Sequence, residues 1–435
     1  MPSQTIIAKD IGRLHYRGER ARENCLGVAA MVLATLTRLS FAHATEAAPS
    51  PPLLTFTRPV RQIEVTTFGA TIDDATDDTD SFQAALAVDD VVVVVPKGTY
   101  VISRPLRVPS SRWIIAADDA VIRFADGAGK QWDSFLLTNM DSDRGNHDIV
   151  IQGGIWDGNN LHNRRKREFH GRSYGGVLIN FTKTNRLALR GLTIRNPESF
   201  SIRLGQVEDF IVEDVVFDQS QPRPNQDGIH IGGLSHRGLI RRLRVSSETG
   251  THDDMVAINA DDDIERPFNV GMQCGPITDI CVSDLCAAEA YTFVRLLSSR
   301  HRIANIRIEN IRGGFRTNVV NADRWRFPAG GGDLADITIR NLSITHKGEK
   351  TEPCITIQSR VNNFLIAELR RPDCDASQNR APTLVIDNSQ QNTVTQQLAP
   401  ALMGAGGPAP AICAGKFRID HAGIDSLTIS SLESP

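Results

Sequence analysis

The sequence predicts an all-β fold, a single-stranded right-handed parallel β-helix in which the chain coils through short strands. Residues 225–231 and 251–258 share a pattern at an offset of 27 residues, with Asp227, Ile229 and Ile231 matching Asp254, Val256 and Ile258. Candidate equivalent strands begin at Ile149, Val177, Ile202, Ile229 and Val256, at spacings of 28, 25, 27 and 27 residues. A second series of apolar segments includes Leu187–Leu189, Phe210–Val212, Leu239–Ile240 and Ile306–Ile308. Helical arrays are excluded because no long segment keeps a 3.6-residue period, and propeller blades need about 40 residues each.

The first residues of the chain differ in pattern from the rest. Basic residues through Arg22 precede an apolar run from Cys25 to Leu36, and small residues follow up to Ala44. This order is typical of a signal peptide, and the run is shorter than the ~20 residues of a membrane span. We therefore expect residues 1–44 to be a signal peptide or an N-terminal extension, 45–62 a linker and 63–435 a β-helix catalytic domain. A secreted or periplasmic location follows, with a disordered extension of a cytosolic protein as the alternative.

Charge and cysteine content narrow the classes of partner. The formal net charge is -3, with 48 basic and 51 acidic residues, so no overall field attracts nucleic acid. Without Cys25, an even set of six cysteines remains, which suits an oxidising compartment, although the pairing stays open. No two cysteines have the short spacing of a zinc site, and we predict neither a metal nor a cofactor. The oligomeric state is not predicted.

Elements near the start of the β-helix can be placed from local patterns. We expect a strand at Ile63–Ala70 and a buried strand at Val91–Val95. Between them, Asp80 is expected to cap a short helix, Ser81–Ala87, with Gln83 completing a capping box. Such an N-terminal helix would cover the open end of the solenoid, which otherwise exposes unpaired strand edges.

The regular period is interrupted by insertions. About ten extra residues are expected around 261–274, and residues 163–172 form a strongly basic insertion. Long loops of a solenoid often build its binding face. The basic insertion is open to two interpretations, a contact with an acidic substrate or a solvated loop. Toward the end, residues 390–410 are a low-complexity connection before a last strand near Leu427–Ile429.

The in-register repeat brings carboxylates together. Equivalent residues of neighbouring coils lie about 4.8 Å apart, so Asp227 should lie beside Asp254, with Asp253 adjoining. Gathering carboxylates is electrostatically costly, and such clusters are typical of catalytic sites. The alternative is that Asp-Gly and Asp-Asp are turn formers that happen to recur.

Strand alternation extends this site to its neighbours. With Ile202, Ile229, Val256 and Val294 inward, the outward row should be Arg203, His230, Ala257 and Arg295, and a neighbouring row contains Asp227, Asp254 and Thr292. The predicted catalytic residues are Asp227, Asp253 and Asp254. The predicted substrate-binding residues are Asn225, His230, His252, Arg295, Arg203 and Asn321.

Several motifs together resemble the polygalacturonase family of glycoside hydrolases, family 28, and its pectin-lyase-like β-helix relatives. The shared segments are Phe68–Ala70, Asp77–Ala85, Val95–Tyr100, Gly153–Gly158, Asn225–Gly228 and His252–Asp254. Asn-Gln-Asp-Gly at 225–228 resembles the Asn-Thr-Asp-Gly of the family, and His-Asp-Asp at 252–254 resembles its Gly-Asp-Asp. The similarity spans residues 63 to 345.

The resemblance implies a secreted glycoside hydrolase that acts on a polysaccharide or oligosaccharide with inversion. By this analogy Asp253 is the general acid, while Asp227 and Asp254 activate the attacking water. An inverting geometry calls for acid and base about 6.5–9.5 Å apart. Two motifs of the family are missing: its Gly-His-Gly should fall near Tyr291–Thr292, and its Arg-Ile-Lys has no match. Arg295 could replace that function as an anion ligand or pair with Asp254 or Glu289, and Trp325 could stack on a sugar.

Two alternatives remain on the same fold. A polysaccharide lyase needs a base and a cation near an acidic sugar, and Asp261, Asp262 and Asp263 could offer calcium ligands, although they also suit a solvated turn. A noncatalytic β-helix, similar to adhesins or tail fibres, would use the carboxylates only as turn residues. Products from a panel of polysaccharides would separate the three.

Overall fold

A parallel β-helix is formed by the part of the chain that the structure, a computed structural model, describes. These residues are 54–166, 172–246, 251–323, 331–348, 352–371, 373, 382–386, 417–419 and 427–433. The coil is right-handed and carries one short α-helix, α1 (Thr79–Leu86), among the described residues. The strands are β1 (Arg61–Glu64), β2 (Val91–Val95), β3 (Gly98–Ile102), β4 (Leu106–Val108), β5 (Arg112–Ala116), β6 (Ala120–Phe124), β7 (Leu137–Asn139), β8 (Asn146–Gln152), β9 (Ile155–Asp157), β10 (Ile179–Thr182), β11 (Thr184–Arg190), β12 (Thr193–Arg195), β13 (Ile202–Gly205), β14 (Glu208–Glu213), β15 (Val216–Asp218), β16 (Ile229–Gly232), β17 (His236–Val245), β18 (Asp254–Asn259), β19 (Ile277–Leu297), β20 (Ile303–Ala322), β21 (Leu334–His346), β22 (Ile355–Ile357), β23 (Val361–Arg370), β24 (Leu384–Ile386), β25 (Phe417–Ile419) and β26 (Leu427–Glu433).

Each regular coil adds one strand to each of three parallel sheets. Sheet 1 runs through β4, β7, β10, β13, β16, β18, the ends of β19 and β20, β22, β24 and β25. Sheet 2 runs through β1, β2, β5, β8, β11, β14, β17, β19, β20, β21, β23 and β26. Sheet 3 runs through β3, β6, β9, β12, β15 and the end of β17.

The interior of the coil is filled by aligned apolar side chains. In sheet 1, Ile202, Ile229, Val256 and Val294 are paired in register and are fully buried. This confirms the predicted inward row and the predicted 27-residue step between β16 and β18. Stacking one branched side chain on the next removes apolar surface from water at every coil, which is the main stabilising term of such a solenoid.

The predicted strand series needs two corrections. Ile149 pairs with Leu187, so it belongs to sheet 2 and to the second predicted series, which is otherwise as expected. Val177 precedes β10, whose first residue Ile179 is the true partner of Ile202. Two apolar segments per repeat have the same alternation, and the period alone could not assign Ile149 to the right one.

The predicted N-terminal helix is present, but its predicted cap is wrong. Helix α1 begins at Thr79, follows Asp78 and receives no side-chain capping bond. The carboxylate of Asp78 instead accepts N–H groups from Thr71 and Val101, and Gln83 bonds to the backbone of Arg107. Acidic and amide side chains here tie turns of adjacent segments together, which no local helix pattern reveals.

The solenoid begins slightly earlier than predicted. Strand β1 starts at Arg61 and passes at Val65 into a 3-10 turn, so the expected strand at Ile63–Ala70 is cut short. Part of the expected linker also packs on the fold. The Phe56 ring meets Trp113 edge-on at 6.4 Å and lies under the guanidinium of Arg186 at 5.2 Å.

Several other expectations concern residues outside the described set. These are the signal peptide, residues 167–171 of the basic insertion, Trp325 and the connection at 390–410. Among the described cysteines, Cys274 and Cys354 are thiols and Cys286 is in a disulfide, so the six cysteines do not form three disulfides. No helix within the described ranges is long and apolar enough to cross a membrane.

Candidate active site

The first carboxylate is positioned by an anchored turn before β16. Asn225 adopts a left-handed backbone conformation, with φ at 61°, which asparagine tolerates better than most residues. The buried side chain of Gln226 donates to the carbonyl oxygens of Pro197 at 2.7 Å and Gln221 at 3.1 Å. Asp227 therefore enters β16 from a turn that is fixed on both sides.

The next coil supplies the other two carboxylates. The N–H of Gly228 donates to the Asp254 carbonyl at 2.9 Å, which holds the two strand entrances in register. One carboxylate oxygen from each of Asp227, Asp253 and Asp254 lies within 4.8 Å of the others. Asp227 and Asp254 are buried and Asp253 is partly exposed. The structure thus brings together the three residues that the repeat predicted.

These carboxylates line a cleft that opens to solvent. Ten residues line it: Phe200, Asn225, Asp227, His230, Asp253, Asp254, Asn259, Arg266, Phe268 and Arg295. Asn225 Nδ2 donates to Asp253 Oδ2 at 3.3 Å, so the partly exposed acid is held by its neighbouring coil. The Phe268 ring forms part of one wall of the cleft, and the Arg266 guanidinium lies 4.2 Å above this ring.

Asp254 is the most perturbed carboxyl of the cluster. Burial and the neighbouring Asp253 raise the pKa of Asp254 well above its ordinary value, although Arg295 acts in the opposite direction. Its Oδ1 is buried without a hydrogen-bond partner among the described residues. Asp254 therefore binds a proton more tightly than an ordinary carboxyl group does.

Arg295 faces the cluster from the next coil of sheet 1. It aligns with Ala257, as predicted, and its guanidinium pairs with Asp323 at 2.6 Å. Asn321, the next residue in the same row, donates to Asp323 at 3.1 Å. Burial lowers the pKa of Arg295, but the carboxylates of Asp254 and Asp323 outweigh that effect and raise it.

The predicted alternative partners of Arg295 need a correction. Its guanidinium forms an ion pair with Asp323. Glu289 pairs instead with Arg316, at 3.1 Å. Asp254 acts on Arg295 through its charge.

His230 is buried at the inner end of the cleft between two carboxylates. Its Nδ1 lies 2.7 Å from Asp227 Oδ2 and its Nε2 lies 2.9 Å from Asp262 Oδ2. Burial lowers the pKa of His230, but Asp262 and Asp227 outweigh burial and raise it to about 9. A cation is thus built into the carboxylate cluster.

Three predicted substrate-binding residues, Arg203, His252 and Asn321, do not line the cleft. Arg203 is buried beside His230 in the outward row, and it donates to Asn180 and to the carbonyl oxygens of Phe268 and Val270. Its contacts hold the insertion against the coil. The partly buried His252 has its pKa lowered by burial and by Arg316, which donates to the Thr251 carbonyl.

Sequence reasoning missed the contribution of the insertion between β18 and β19. The insertion lies where it was predicted, but Asp261 and Asp262 are 5% exposed, not part of a solvated turn. Asp261 accepts the N–H groups of Ser299, Arg300 and His301 and contacts the His301 ring. The insertion also supplies Arg266 and Phe268 to the cleft. The Asp triplet was the signal, but the period cannot show where an inserted loop folds.

The basic insertion is also partly anchored, which differs from a solvated loop. Arg165 pairs with the buried Glu198 at 3.5 Å and its guanidinium lies 5.5 Å from the Phe268 ring. Glu198 in turn receives Arg223 at 2.7 Å. The described start of this insertion therefore supports the wall of the cleft.

The arrangement can hold and move protons next to a bound ligand. The cluster contains a partly exposed carboxyl, a buried carboxyl with a raised pKa and a carboxylate bonded to a histidine cation. Three carboxylates this close together need compensating positive charge, and His230 and Arg295 supply it from within the protein. We therefore interpret the cluster as an acid/base site. Acid and base groups with separated proton affinities are the requirement for such catalysis.

Comparisons with known proteins relate parts of the chain to two families. Residues 62–132 match the family described as rhamnogalacturonase A/epimerase, pectate lyase-like, and residues 112–282 match glycosyl hydrolases family 28. A polygalacturonase of Prunus persica is 27% identical over 51% of this chain and 56% of its own length. The match therefore spans about half of that relative.

Solved structures agree on the fold. An exopolygalacturonase from Thermotoga maritima has a TM-score of 0.54 at 16% identity, covering 81% of this chain and 91% of its own. A surface protein and adhesin of Streptococcus pneumoniae has a TM-score of 0.56 at 12% identity, covering 86% of this chain and 97% of its own.

Fold and site together define a right-handed parallel β-helix protein with a carboxylate cluster on sheet 1. In sequence, residues 62–282 of the chain are related to glycosyl hydrolases family 28 and to the pectate-lyase-like β-helix proteins.

Proposed function

We propose that the protein is a glycoside hydrolase that cleaves a pectin-type polysaccharide by acid/base catalysis. The observation that carries this proposal is the cluster of Asp227, Asp253 and Asp254, with carboxylate oxygens within 4.8 Å and one member open to the cleft. The names of the family and of its polygalacturonase relatives support the substrate class. Arg266 and Arg295 add positive charge to the cleft, which suits an acidic sugar.

Asp253 is the proposed general acid. It is the partly exposed member of the cluster, so it can reach the glycosidic oxygen of a bound chain. The raised pKa of Asp254, caused by burial and by Asp253, keeps a proton in the pair. That proton is delivered to the leaving group through Asp253.

Asp227 is the proposed base. Asp227 is only 3% exposed, so its carboxylate lies too deep to reach the anomeric carbon itself. A water molecule that it activates can reach that carbon. The protonation of the Asp253–Asp254 pair leaves Asp227 as the ionised carboxylate of the cluster. This differs from the sequence-based expectation, in which Asp254 shares the base role with Asp227.

The stereochemistry is a separate part of the proposal. The nearest oxygens of Asp227 and Asp253 lie within 4.8 Å, closer than the expected 6.5–9.5 Å between carboxyl groups in inverting enzymes. A short separation is typical of retention, in which Asp227 would attack directly. We nevertheless propose inversion, because the burial of Asp227 opposes direct attack. The anomer formed first, followed by NMR during hydrolysis, decides between the two.

The alternative of a calcium-dependent lyase loses two of its three proposed ligands, Asp261 and Asp262. Asp261 is bonded to three backbone N–H groups and Asp262 to His230, so both are committed to contacts within the protein.

Secretion remains part of the proposal and rests on the N-terminal pattern. The substrate carboxylate, in turn, would be met by Arg266 and Arg295 and not by the Arg-Ile-Lys of the family.

The test is a product assay on uronate-rich and neutral polysaccharides with the wild type, Asp253→Asn and the control Asp118→Asn. Asp118 is an exposed carboxyl on a turn of an earlier coil. New reducing ends without unsaturated products, lost by about 10²-fold or more in Asp253→Asn only, are expected. Unsaturated products would favour the lyase. Binding without any product would favour a noncatalytic β-helix.

A further inference from the structure

We propose that His230 and Asp262 are positioning residues that hold Asp227 in place as an ionised base, an inference that rests on the proposed function. His230 Nδ1 contacts Asp227 Oδ2 at 2.7 Å, and its Nε2 contacts Asp262 Oδ2 at 2.9 Å. All three side chains are nearly or fully buried. The geometry is a chain of carboxylate, imidazole and carboxylate that ends at the proposed base.

The imidazole ring is fixed on its face as well as at its edges. Phe200 stacks on it with ring centroids 3.9 Å apart and an angle of 10° between the planes. Phe268 packs edge-on against Phe200 at 4.9 Å. A ring held by two in-plane contacts and one stacked neighbour has a single orientation, so the Asp227 oxygen that it contacts is fixed too.

The contacts define the charge of the ring. Both ring nitrogens lie within hydrogen-bond distance of carboxylate oxygens, and only an imidazolium donates from both nitrogens. Its pKa is lowered by burial but raised to about 9 by Asp262 and Asp227. His230 therefore remains a cation through neutral pH, and this cation favours the ionised form of Asp227.

Other charged groups around the chain are consistent with this role. Arg203 lies next to His230 in the outward row and interacts with Asp262. On the far side of the cluster, Asp227 and Asp254 would repel each other if both were ionised, and Arg295 attracts both carboxylates. Asp227 thus faces one carboxyl that holds a proton and two cations, one of which it contacts directly.

Asp262 makes the insertion part of the catalytic support. Asn259 Nδ2, at the end of β18, donates to Asp262 Oδ1 at 3.2 Å, and the Cys274 thiol donates to the Asp262 carbonyl at 3.4 Å. Both ends of the insertion therefore fix this carboxylate. Because Asp262 does not line the cleft, its effect on catalysis has to pass through His230.

The test compares the pH dependence of kcat/KM for the wild type, Asp262→Asn and Glu265→Gln. Asp262→Asn keeps the shape of the side chain but removes the charge that raises the pKa of His230, so His230 should lose its proton, and the enzyme its activity, at a pH about one unit lower than in the wild type. Glu265→Gln removes an equal charge from an exposed position in the same insertion and should leave the profile unchanged. His230→Gln removes the cation itself, so the acidic limb, set by Asp227, should move to higher pH and kcat should fall.

A measurement on the wild-type protein does not depend on folding of the variants. The ring ¹⁵N signals of His230, assigned by their absence in His230→Gln, should report an imidazolium until the pH approaches about 9. Titration near the ordinary histidine value of 6.5 would overturn the inference. So would an unshifted profile in a folded Asp262→Asn enzyme. Absence of hydrolysis by the wild type would instead overturn the proposed function, and this inference with it.

Discussion

Two regions of the β-helix stack charged residues on successive coils, and they do so in different ways. On the outer face of sheet 2, Asp209 pairs with Arg237 at 2.8 Å and Asp214 pairs with Arg242 at 2.6 Å, one coil apart in each case. These side chains are partly exposed, by 25–51%. On sheet 1, Asp227 and Asp254 occupy neighbouring coils as like charges and are almost completely buried.

The difference separates two uses of one repeating geometry. Opposite charges on adjacent coils avoid the repulsion that stacked like charges would create. At an exposed surface such ion pairs add little to the free energy of unfolding. Like charges that are stacked and buried raise the free energy of the folded state unless cations or protons compensate. Here His230 and Arg295 supply the cations and Asp254 holds the proton. The buried cluster therefore contains carboxyl groups that differ in proton affinity.

The largest expected effect is the loss of activity in Asp227→Asn. The variant keeps the size of the side chain but removes the base, so kcat should fall by about 10²–10⁴-fold. Steady-state hydrolysis of the best polysaccharide from the substrate panel, with circular dichroism to verify folding, measures the effect. A folded variant that keeps more than about a tenth of the wild-type kcat would contradict the assignment of Asp227 as the base.

A second expected effect is on stability and concerns Asp254→Asn. The folded-state pKa of Asp254 is raised by burial and by Asp253, so between about pH 4 and that raised value the native state binds more protons than the unfolded state. Stability of the wild type should therefore decrease as the pH rises through this interval, by up to about 1.4 kcal/mol per pH unit. The variant cannot ionise at this position and should lose that slope.

Denaturant unfolding from pH 4 to pH 7 measures this difference between Asp254→Asn and the wild type. The two should be similar in stability near pH 4, and the variant should be the more stable protein near pH 7. Parallel curves would mean that Asp254 is not a proton store, and the contrast between the two regions would then lie in burial alone.

Much of the fold follows from the sequence because a solenoid repeats its pattern. The apolar alternation predicted the inward row at Ile202, Ile229, Val256 and Val294, and the offset of Asp227 and Asp254 predicted their register. Errors arose where two strands of one coil share the same alternation. Ile149 was therefore assigned to the wrong sheet.

The candidate site could be predicted only where it belongs to the repeat. Asp227, Asp253, Asp254, His230 and Arg295 lie on regular coils, so their proximity follows from the period. The position of Asp262 depends on how the insertion folds back over sheet 1, which its composition does not specify. Burial of Arg203 under the same insertion has the same cause. The position of a loop that leaves the repeat is set by its tertiary contacts, and the period of the sequence does not show these contacts.

The smallest expected effect belongs to the outer face of sheet 2. Asp214 has a left-handed backbone conformation with φ at 57°, which asparagine also tolerates, so Asp214→Asn changes the charge with little strain. The side-chain bond from Arg242 lowers the pKa of Asp214, so its stabilising contribution is present at neutral pH and is lost only as the pH falls through that lowered pKa. Arg242 keeps Glu213 as a second partner at 2.7 Å.

The free energy of unfolding of Asp214→Asn should therefore decrease by only about 0.5 kcal/mol, and kcat should not change. Denaturant unfolding at neutral pH, in low and high salt, measures the first quantity, and high salt should reduce the already small difference further. A loss well above about 1 kcal/mol would show that the solvated ion pairs are structural clamps. Opposite charges on adjacent coils would then hold the solenoid together, and the pairing of charge, more than its burial, would be what distinguishes the two regions.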